Sequence, residues 1–290
     1  MTSEYEKYMS VAIEQAKLSL REGNNGFGAL IVKGKKIIAE AHDTEETDRD
    51  PTAHAEMNVI KMASKLLEKN LEDCLLMTTH EPCPMCAAAI VWTKIKNIAY
   101  GYSIEDAIKQ GRNRIDMSCQ ELFARANIHV HVEKGILRDK CALLYNKEIR
   151  QEIIKLRNAT DEQLREYDRE STQKRLAWFR MGIGLLLSSL SDKKDAGYQL
   201  LLKRFNITED QAPIIQRDHN SIVFHSQNFC PTLEACIILE MDTRRVCKLY
   251  NEHSTNMLIQ QFDPRLRFRR NYEKLRPFAP YCEEMICFTE

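Results

Sequence analysis

Two short strings hold the residues suited to metal and proton chemistry. His54-Ala55-Glu56 reads H-x-E, and Pro82-Cys83-Pro84-Met85-Cys86 reads P-C-x-x-C. One imidazole and two thiolates make three ligands. Three protein ligands leave one corner of a tetrahedral zinc ion open, which is the arrangement of a catalytic site rather than a closed structural one. Cys83 and Cys86 are three residues apart, so on one helical turn they face the same way. Proline at the start of such a helix forfeits no hydrogen bond, and the positive helix end favours the thiolates that a metal needs. Glu56 stands two residues beyond His54. A carboxylate beside a zinc-bound water, whose pKa falls to about 7, can take its proton and pass it to a ring nitrogen and a departing amine. These parts fit hydrolytic loss of ammonia from an amino-substituted heterocycle. A lone C-x-x-C also serves structural zinc knuckles and redox pairs. Here the proline before Cys83 and the apolar run Ala87-Ala88-Ala89-Ile90-Val91-Trp92 after Cys86 set the string apart.

The elements around these strings must bring them together. Ser3 and Glu6 form a capping-box pattern for a first helix that stops at Gly23. The apolar run 26–32, the turn Lys33-Gly34-Lys35 and the run 37–41 predict a hairpin of two strands. Residues 42–51 are polar and read as a loop, and a helix follows from His54 to about Lys69. Residues 74–79 predict a third strand, 82–92 a loop turning into a helix, 95–100 a fourth strand and 104–109 a short helix. Ile128-His129-Val130-His131-Val132 alternates residue by residue and predicts a fifth strand, with both histidines on its solvent face. A helix over 140–157 closes the unit. Strands alternating with helices make a layered α/β domain.

The chain has 290 residues, enough for two domains. The boundary is expected at 158/159, after the helix stop at Asn158 and before a second capping box, Thr160 to Gln163. The 42 basic and 42 acidic residues leave no net charge, which argues against a protein built around a polyanion, although one basic face can hide in a neutral total. The ten cysteines divide five and five between the halves, an odd number in each, and the opening residues resemble no secretory signal. The longest apolar stretch, 181–190, is about half of the roughly twenty residues a bilayer span needs and reads as a core helix. A cytoplasmic protein with reduced thiols is expected.

Residues 1–157 resemble the cytidine-deaminase-like superfamily, in its branch of guanine and other nucleobase deaminases and tRNA adenosine deaminases. The resemblance is carried by Phe27-Gly28-Ala29, Asp50-Pro51-Thr52-Ala53-His54-Ala55-Glu56, Glu81-Pro82-Cys83-Pro84-Met85-Cys86 and Tyr100-Gly101. It implies a three-layer α/β/α domain with a mixed five-stranded sheet, assembled as a homodimer. It also implies His54, Cys83 and Cys86 as ligands of Zn2+, Glu56 as the proton shuttle, Phe27 as a wall for the substrate ring and the Ala55 backbone near the reacting carbon. Trp92 matches the tryptophan of guanine-deaminase-type sequences; it either stacks a free base at the pocket rim or packs beneath its helix. The basic, phenylalanine-paired final helix of the tRNA enzymes is missing from Cys141-Ala142-Leu143-Leu144-Tyr145-Asn146, so a small aminoheterocycle is favoured over RNA. Where the family has a substrate-contacting asparagine, eight residues before Pro51, this chain has Asp43. An ionised aspartate only accepts hydrogen bonds, so Asp43 either selects an amino-rich ring or faces water. Asp116 is a loosely aligned candidate for a second acid over the pocket. The alternatives are a tRNA adenosine deaminase and a ligand-sensing protein on a deaminase scaffold.

The second half, 159–290, reads as a smaller α+β accessory domain that can bind a ligand. It begins helical, with an apolar segment around Trp178, Phe179 and Leu185-Leu186-Leu187, and turns to short strands after Pro213. Its cysteine spacings, Cys230 to Cys236 and Cys282 to Cys287, match no strong metal signature and suit buried free thiols. Arg265-Leu266-Arg267-Phe268-Arg269 alternates at period two. It is either a strand whose arginine face holds a carboxylate or phosphate, or an edge strand guarded by charge.

Overall fold

The computed structural model describes residues 2–183 and 190–289. It divides into two compact units, 1–154 and 155–290. The apolar segment at Leu185-Leu186-Leu187 lies outside the described residues.

The first unit runs α1 (Thr2–Glu22), β1 (Gly28–Lys33), β2 (Lys36–His42), α2 (Glu45–Asp48), α3 (Ala55–Leu67), β3 (Cys74–His80), α4 (Pro84–Trp92), β4 (Asn97–Tyr102), α5 (Ile104–Lys109), α6 (Cys119–Arg125), β5 (His131–Lys134), α7 (Arg138–Tyr145) and α8 (Lys147–Leu156). The strands form one sheet in the order β2-β1-β3-β4-β5. β1 is antiparallel to both β2 and β3, whereas β3, β4 and β5 run parallel, so the sheet is mixed as expected. Helices α1 and α7 pack on one face and α3 and α4 on the other, giving three α/β/α layers. Because side chains alternate across a strand, Ala29, Ile31, Leu76 and Ile98 pack with Val59, Ala63 and Ile90 of α3 and α4. Strands covered on both faces are apolar throughout, and β1 is buried along nearly its whole length.

Two glycines of the sequence strings have a packing reason. A Cβ on Gly28 would stand 2.0 Å from the Ala12 carbonyl oxygen of α1, and one on Gly101 would stand 2.3 Å from Cys141 Sγ of α7. Both let a helix lie directly on the sheet.

Four local expectations are corrected. The first helix already includes Ser3, so the Ser3–Glu6 pattern does not start it. The acidic loop after His42 contains one helical turn, α2. The fifth strand lies at His131–Lys134, later than its alternating residues suggested. The closing helix is broken at Asn146, whose backbone is extended and whose Oδ1 accepts the amides of Glu148 and Ile149, starting α8 afresh.

The second unit has a four-stranded antiparallel sheet, β6 (Ile214–Arg217), β7 (Ser221–Ser226), β9 (Cys282–Phe288) and β8 (Leu266–Arg270) in spatial order. Its core joins Ile222, Phe224, Phe268 and Ile286 with Leu200, Leu258 and Ile259 of the helices. The capping box at Thr160 and Gln163 is formed. All ten cysteines are free thiols. Among the described residues, no helix is long and apolar enough to cross a membrane.

Candidate active site

Two helix starts converge on one cavity. His54 is the N-cap of α3 and Cys83 the N-cap of α4, while Glu56 and Cys86 lie in the first turns of the same helices. The His54 end is pinned by Asn58, whose amide donates to the His42 carbonyl (2.9 Å), to Thr44 Oγ1 (3.0 Å) and to the Ala53 carbonyl (3.2 Å). Pro84 sits at the first position of α4, where its missing N–H leaves no gap.

The three candidate ligands form a tight triangle. His54 Nδ1 is 3.6 Å from Cys83 Sγ and 3.5 Å from Cys86 Sγ, and the two sulfurs are 3.7 Å apart. Zinc bonds of about 2.3 Å to sulfur and about 2.0–2.1 Å to nitrogen, at tetrahedral angles, put ligand atoms roughly 3.5–3.8 Å apart. The donor set therefore fits zinc in both chemistry and spacing. His54 uses Nδ1 toward the sulfurs, and its Nε2 is 3.9 Å from Glu45 Oε2. An imidazole ligand whose other nitrogen faces a carboxylate is oriented by it. Glu45 has no motif to betray it, and reading the sequence missed it.

Charge at the triangle is shared between its members. The contact with Cys86, then that with His54, holds the Cys83 thiol at about 4, despite its burial. The hydrogen bond to Cys83 raises His54 to about 9. Cys83 itself, and then burial, push Cys86 far up. A bound cation would favour the thiolate form of both cysteines.

Glu56 is 4% exposed and still lines the cavity. Thr78 Oγ1 donates to its Oε1 at 2.8 Å, and the Cys86 thiol lies 3.5 Å from its Oε2. Burial is the main cause that raises its carboxyl above the ordinary range, followed by the charge of Cys83.

The cavity measures about 270 Å³ and brings together Phe27, His54, Glu56 and Cys83. Its far wall is aromatic. Phe27 stacks on buried Tyr145 at 5.2 Å and meets His80 edge-on at 5.5 Å. His80, missed at the sequence level, has Nδ1 2.9 Å from the Glu81 carbonyl. A carbonyl only accepts, so Nδ1 carries the hydrogen and Nε2 the lone pair. That Nε2 is buried and has no hydrogen-bond partner among the described residues. Burial lowers the His80 pKa to about 3 and keeps the ring neutral.

Three other expected residues lie elsewhere. Asp43 is fully buried and does not line the cavity; its Oδ1 accepts the Asn25 amide at 3.1 Å, and burial raises its carboxyl. Trp92, at the last position of α4, is 84% exposed and outside the cavity. Asp116 is exposed and borders a different hollow, with Tyr100 and Arg138. Ala55 is buried as the first residue of α3.

In the second unit, β8 is an edge strand. Cationic residues on and beside this strand are engaged: Arg265 with Asp263, Arg270 with Glu284 and Lys274 with Glu283. Arg267 and Arg269 border an open groove of about 680 Å³ with Arg165, Arg169 and Lys248. Among the described residues, the clusters whose donor atoms could share one ion are His54/Cys83/Cys86 and Asp43/Glu45/His54.

Residues 2–102 match the family model described as the cytidine and deoxycytidylate deaminase zinc-binding region. The chain is 42% identical over 109 residues to the guanine deaminase of Bacillus subtilis (strain 168), covering 37% of this chain and 70% of that protein. It is 36% identical over 137 residues to the tRNA-specific adenosine deaminase of the same organism, covering 47% of this chain and 83% of that one. A solved structure of guanine deaminase from Nitrosomonas europaea is similar at 27% identity and a TM-score of 0.42, covering 48% of this chain and 82% of that chain. The chain belongs to the cytidine-deaminase-like superfamily. It is a hydrolytic deaminase with a zinc-binding domain.

Proposed function

We propose that this deaminase removes an exocyclic amino group from a small nucleobase-type heterocycle, with His54, Cys83 and Cys86 as zinc ligands and Glu56 as the proton carrier. One observation carries the reading. A buried carboxylate, anchored by Thr78, lies in the same cavity wall as the three-donor triangle and within 3.5 Å of one of its sulfurs.

Zinc held there supplies the Lewis acidity that makes water nucleophilic near neutral pH. The residues of the chain do the rest. Glu56, as carboxylate, takes a proton from water and gives it to a ring nitrogen, then takes the proton of the newly added hydroxyl and gives it to the leaving amine; burial, which raises its carboxyl, makes it a better base for both transfers. Phe27 offers a flat apolar wall for the ring. His80 also lines the cavity, and its Nε2, a buried acceptor without a partner among the described residues, suits a ring N–H. Asp43 acts through Asn25, whose amide it holds and whose side chain donates to Glu45 at 2.9 Å; we read it as a positioning residue. At about 270 Å³ the cavity is just below the usual lower end of small-molecule pockets, about 300 Å³, so only a small ring suits it. We propose a homodimer as the working assembly.

The test is an ammonia-release screen of zinc-replete protein across amino-purines, amino-pyrimidines and triazines. Release from at least one ring is expected, falling roughly 10²–10⁴-fold in Glu56→Ala. No release from any ring would overturn the reading.

A further inference from the structure

Removing an amino group from a neutral ring needs a metal, a proton carrier and a wall for the ring. It has no use for two arginines, yet Arg112 and Arg114, from the loop after α5, line the cavity that holds Glu56. The Arg114 guanidinium lies over the Phe27 ring at 5.4 Å and that of Arg112 over the Tyr145 ring at 5.3 Å. Phe27 and Tyr145 stack on each other, so both cations are held at the aromatic wall. Arg150 cannot turn toward them as a partner, being a cation itself; its Nη1 donates to the Asn25 carbonyl at 2.7 Å.

Among the described residues, neither Arg112 nor Arg114 makes an ion pair with a carboxylate. The Arg114 side chain donates to the neighbouring Asn113 carbonyl, and Arg112 Nη1 is buried without a hydrogen-bond partner. The acids of the cavity are engaged by other groups. Glu81 accepts the amides of Ile104 and Cys119, Glu56 accepts from Thr78, and Glu45 takes the Asn25 side-chain amide and faces His54. Glu46 lines the cavity at its exposed edge. Burial, then repulsion by Arg150 and Arg114, lowers Arg112 to about 10. A buried guanidinium nitrogen without an acceptor is costly, and a neutral ring would leave the charge beside it uncompensated.

The size of the cavity limits what the compensating anion can be. About 270 Å³ takes one small ring, which leaves no room for a sugar or any other bulky anionic arm. A carboxylate bonded directly to the ring adds little bulk, lies flat with it, and offers two oxygens to a guanidinium fork. We infer that the substrate is a small aminoheterocycle bearing a ring carboxylate, which Arg112 and Arg114 bind while the amino-bearing edge of the ring turns to Glu56. The inference rests on the proposed function and narrows its substrate class; the two arginines become the residues that select a carboxylated ring over a neutral one.

The test is calorimetric binding to the full-length, zinc-loaded Glu56→Ala protein, which does not depend on turnover. The probes are cytosine, 2-aminopyrimidine and aminotriazine, each as the plain ring, its ring carboxylate and the matching carboxamide, which keeps the shape and lacks the charge. At least one carboxylate should bind roughly 10- to 100-fold tighter than its carboxamide. Adding Arg112→Gln and Arg114→Gln should erase that preference. If the doubly substituted protein does not fold, Arg114→Gln alone, at a half-exposed position, should weaken carboxylate binding by at least about 3-fold and leave the carboxamide unchanged. Equal binding of carboxylate and carboxamide for all three rings would overturn the inference. So would a preference that survives the arginine substitutions, since the metal would then be what holds the carboxylate. Ammonia release from plain rings with no carboxylate preference would sink this inference and leave the deaminase reading standing. A carboxylate preference lost with the arginines, in a protein that releases ammonia from no ring, would do the reverse.

Discussion

The Thr78 hydroxyl donates a 2.8 Å hydrogen bond to Glu56 Oε1 from the strand β3, and so leaves Oε2 as the oxygen near the Cys86 sulfur. Thr78 is fully buried on β3. A hydrogen bond to a charged acceptor contributes about 1.5–3 kcal/mol. Thr78→Val should therefore lower kcat by roughly 10- to 100-fold, with KM and zinc content little changed. Thr78→Ser should restore most of it. A fall in zinc content parallel to kcat would instead mean that Thr78 supports the metal site.

Trp92 lies outside the cavity and is largely exposed. Trp92→Ala should leave KM for the best ring within about two-fold. If Trp92 instead covers a homodimer contact, sedimentation should show the variant dissociating at concentrations where the parent remains a dimer. A large KM rise with an unchanged assembly would restore the ring-stacking role.

His80 gives a pH dependence of stability. Its folded pKa, about 3, is depressed by burial below the usual value of about 6.5. Between these values the unfolded chain binds one proton more than the folded one, so stability is lost as pH falls from about 6.5 toward 3. The slope from this group is about 1.4 kcal/mol per pH unit. Denaturant titrations of His80→Phe should show a shallower loss over that window than the parent. Parallel curves would contradict the buried neutral ring.

These predictions draw on residues of very unequal visibility in the sequence. The clustering of His54, Cys83, Cys86 and Glu56 was legible because the chemistry proposed for them demands rare residue types at fixed spacing. The order of strands and helices around them follows from hydrophobic periodicity. His80, Glu45, Arg112 and Arg114 were not legible. They come from the end of a strand, a one-turn helix and a loop, and only the closure of the sheet brings them to His54. Asp43 was read as a pocket residue because its place in the string suggested a side-chain contact with substrate; its backbone amide instead bonds the Phe27 carbonyl and its side chain turns to Asn25. The break at Asn146 was hidden for a similar reason. An asparagine inside an apolar run can end one helix and cap the next.

In the second unit the Arg270–Glu284 pair is nearly buried, with side chains 8% and 12% exposed, and Ser226 Oγ donates to the other Glu284 oxygen at 2.6 Å. Removing one partner of a buried pair strands the other, at a cost of about 3–5 kcal/mol. Glu284→Gln should lower the unfolding free energy of this unit by about that amount. A change under about 1 kcal/mol would show that Arg270 finds another partner or water.

Zinc-edge X-ray absorption on the purified protein tests the central claim most directly, together with the metal content. The account predicts one zinc per chain, bound by two sulfurs at about 2.3 Å, one imidazole nitrogen at about 2.0–2.1 Å and one light atom that no protein side chain supplies. Cys83→Ser should lose one sulfur from that shell. A third or fourth sulfur, a second imidazole, or a protein that binds no zinc would contradict it.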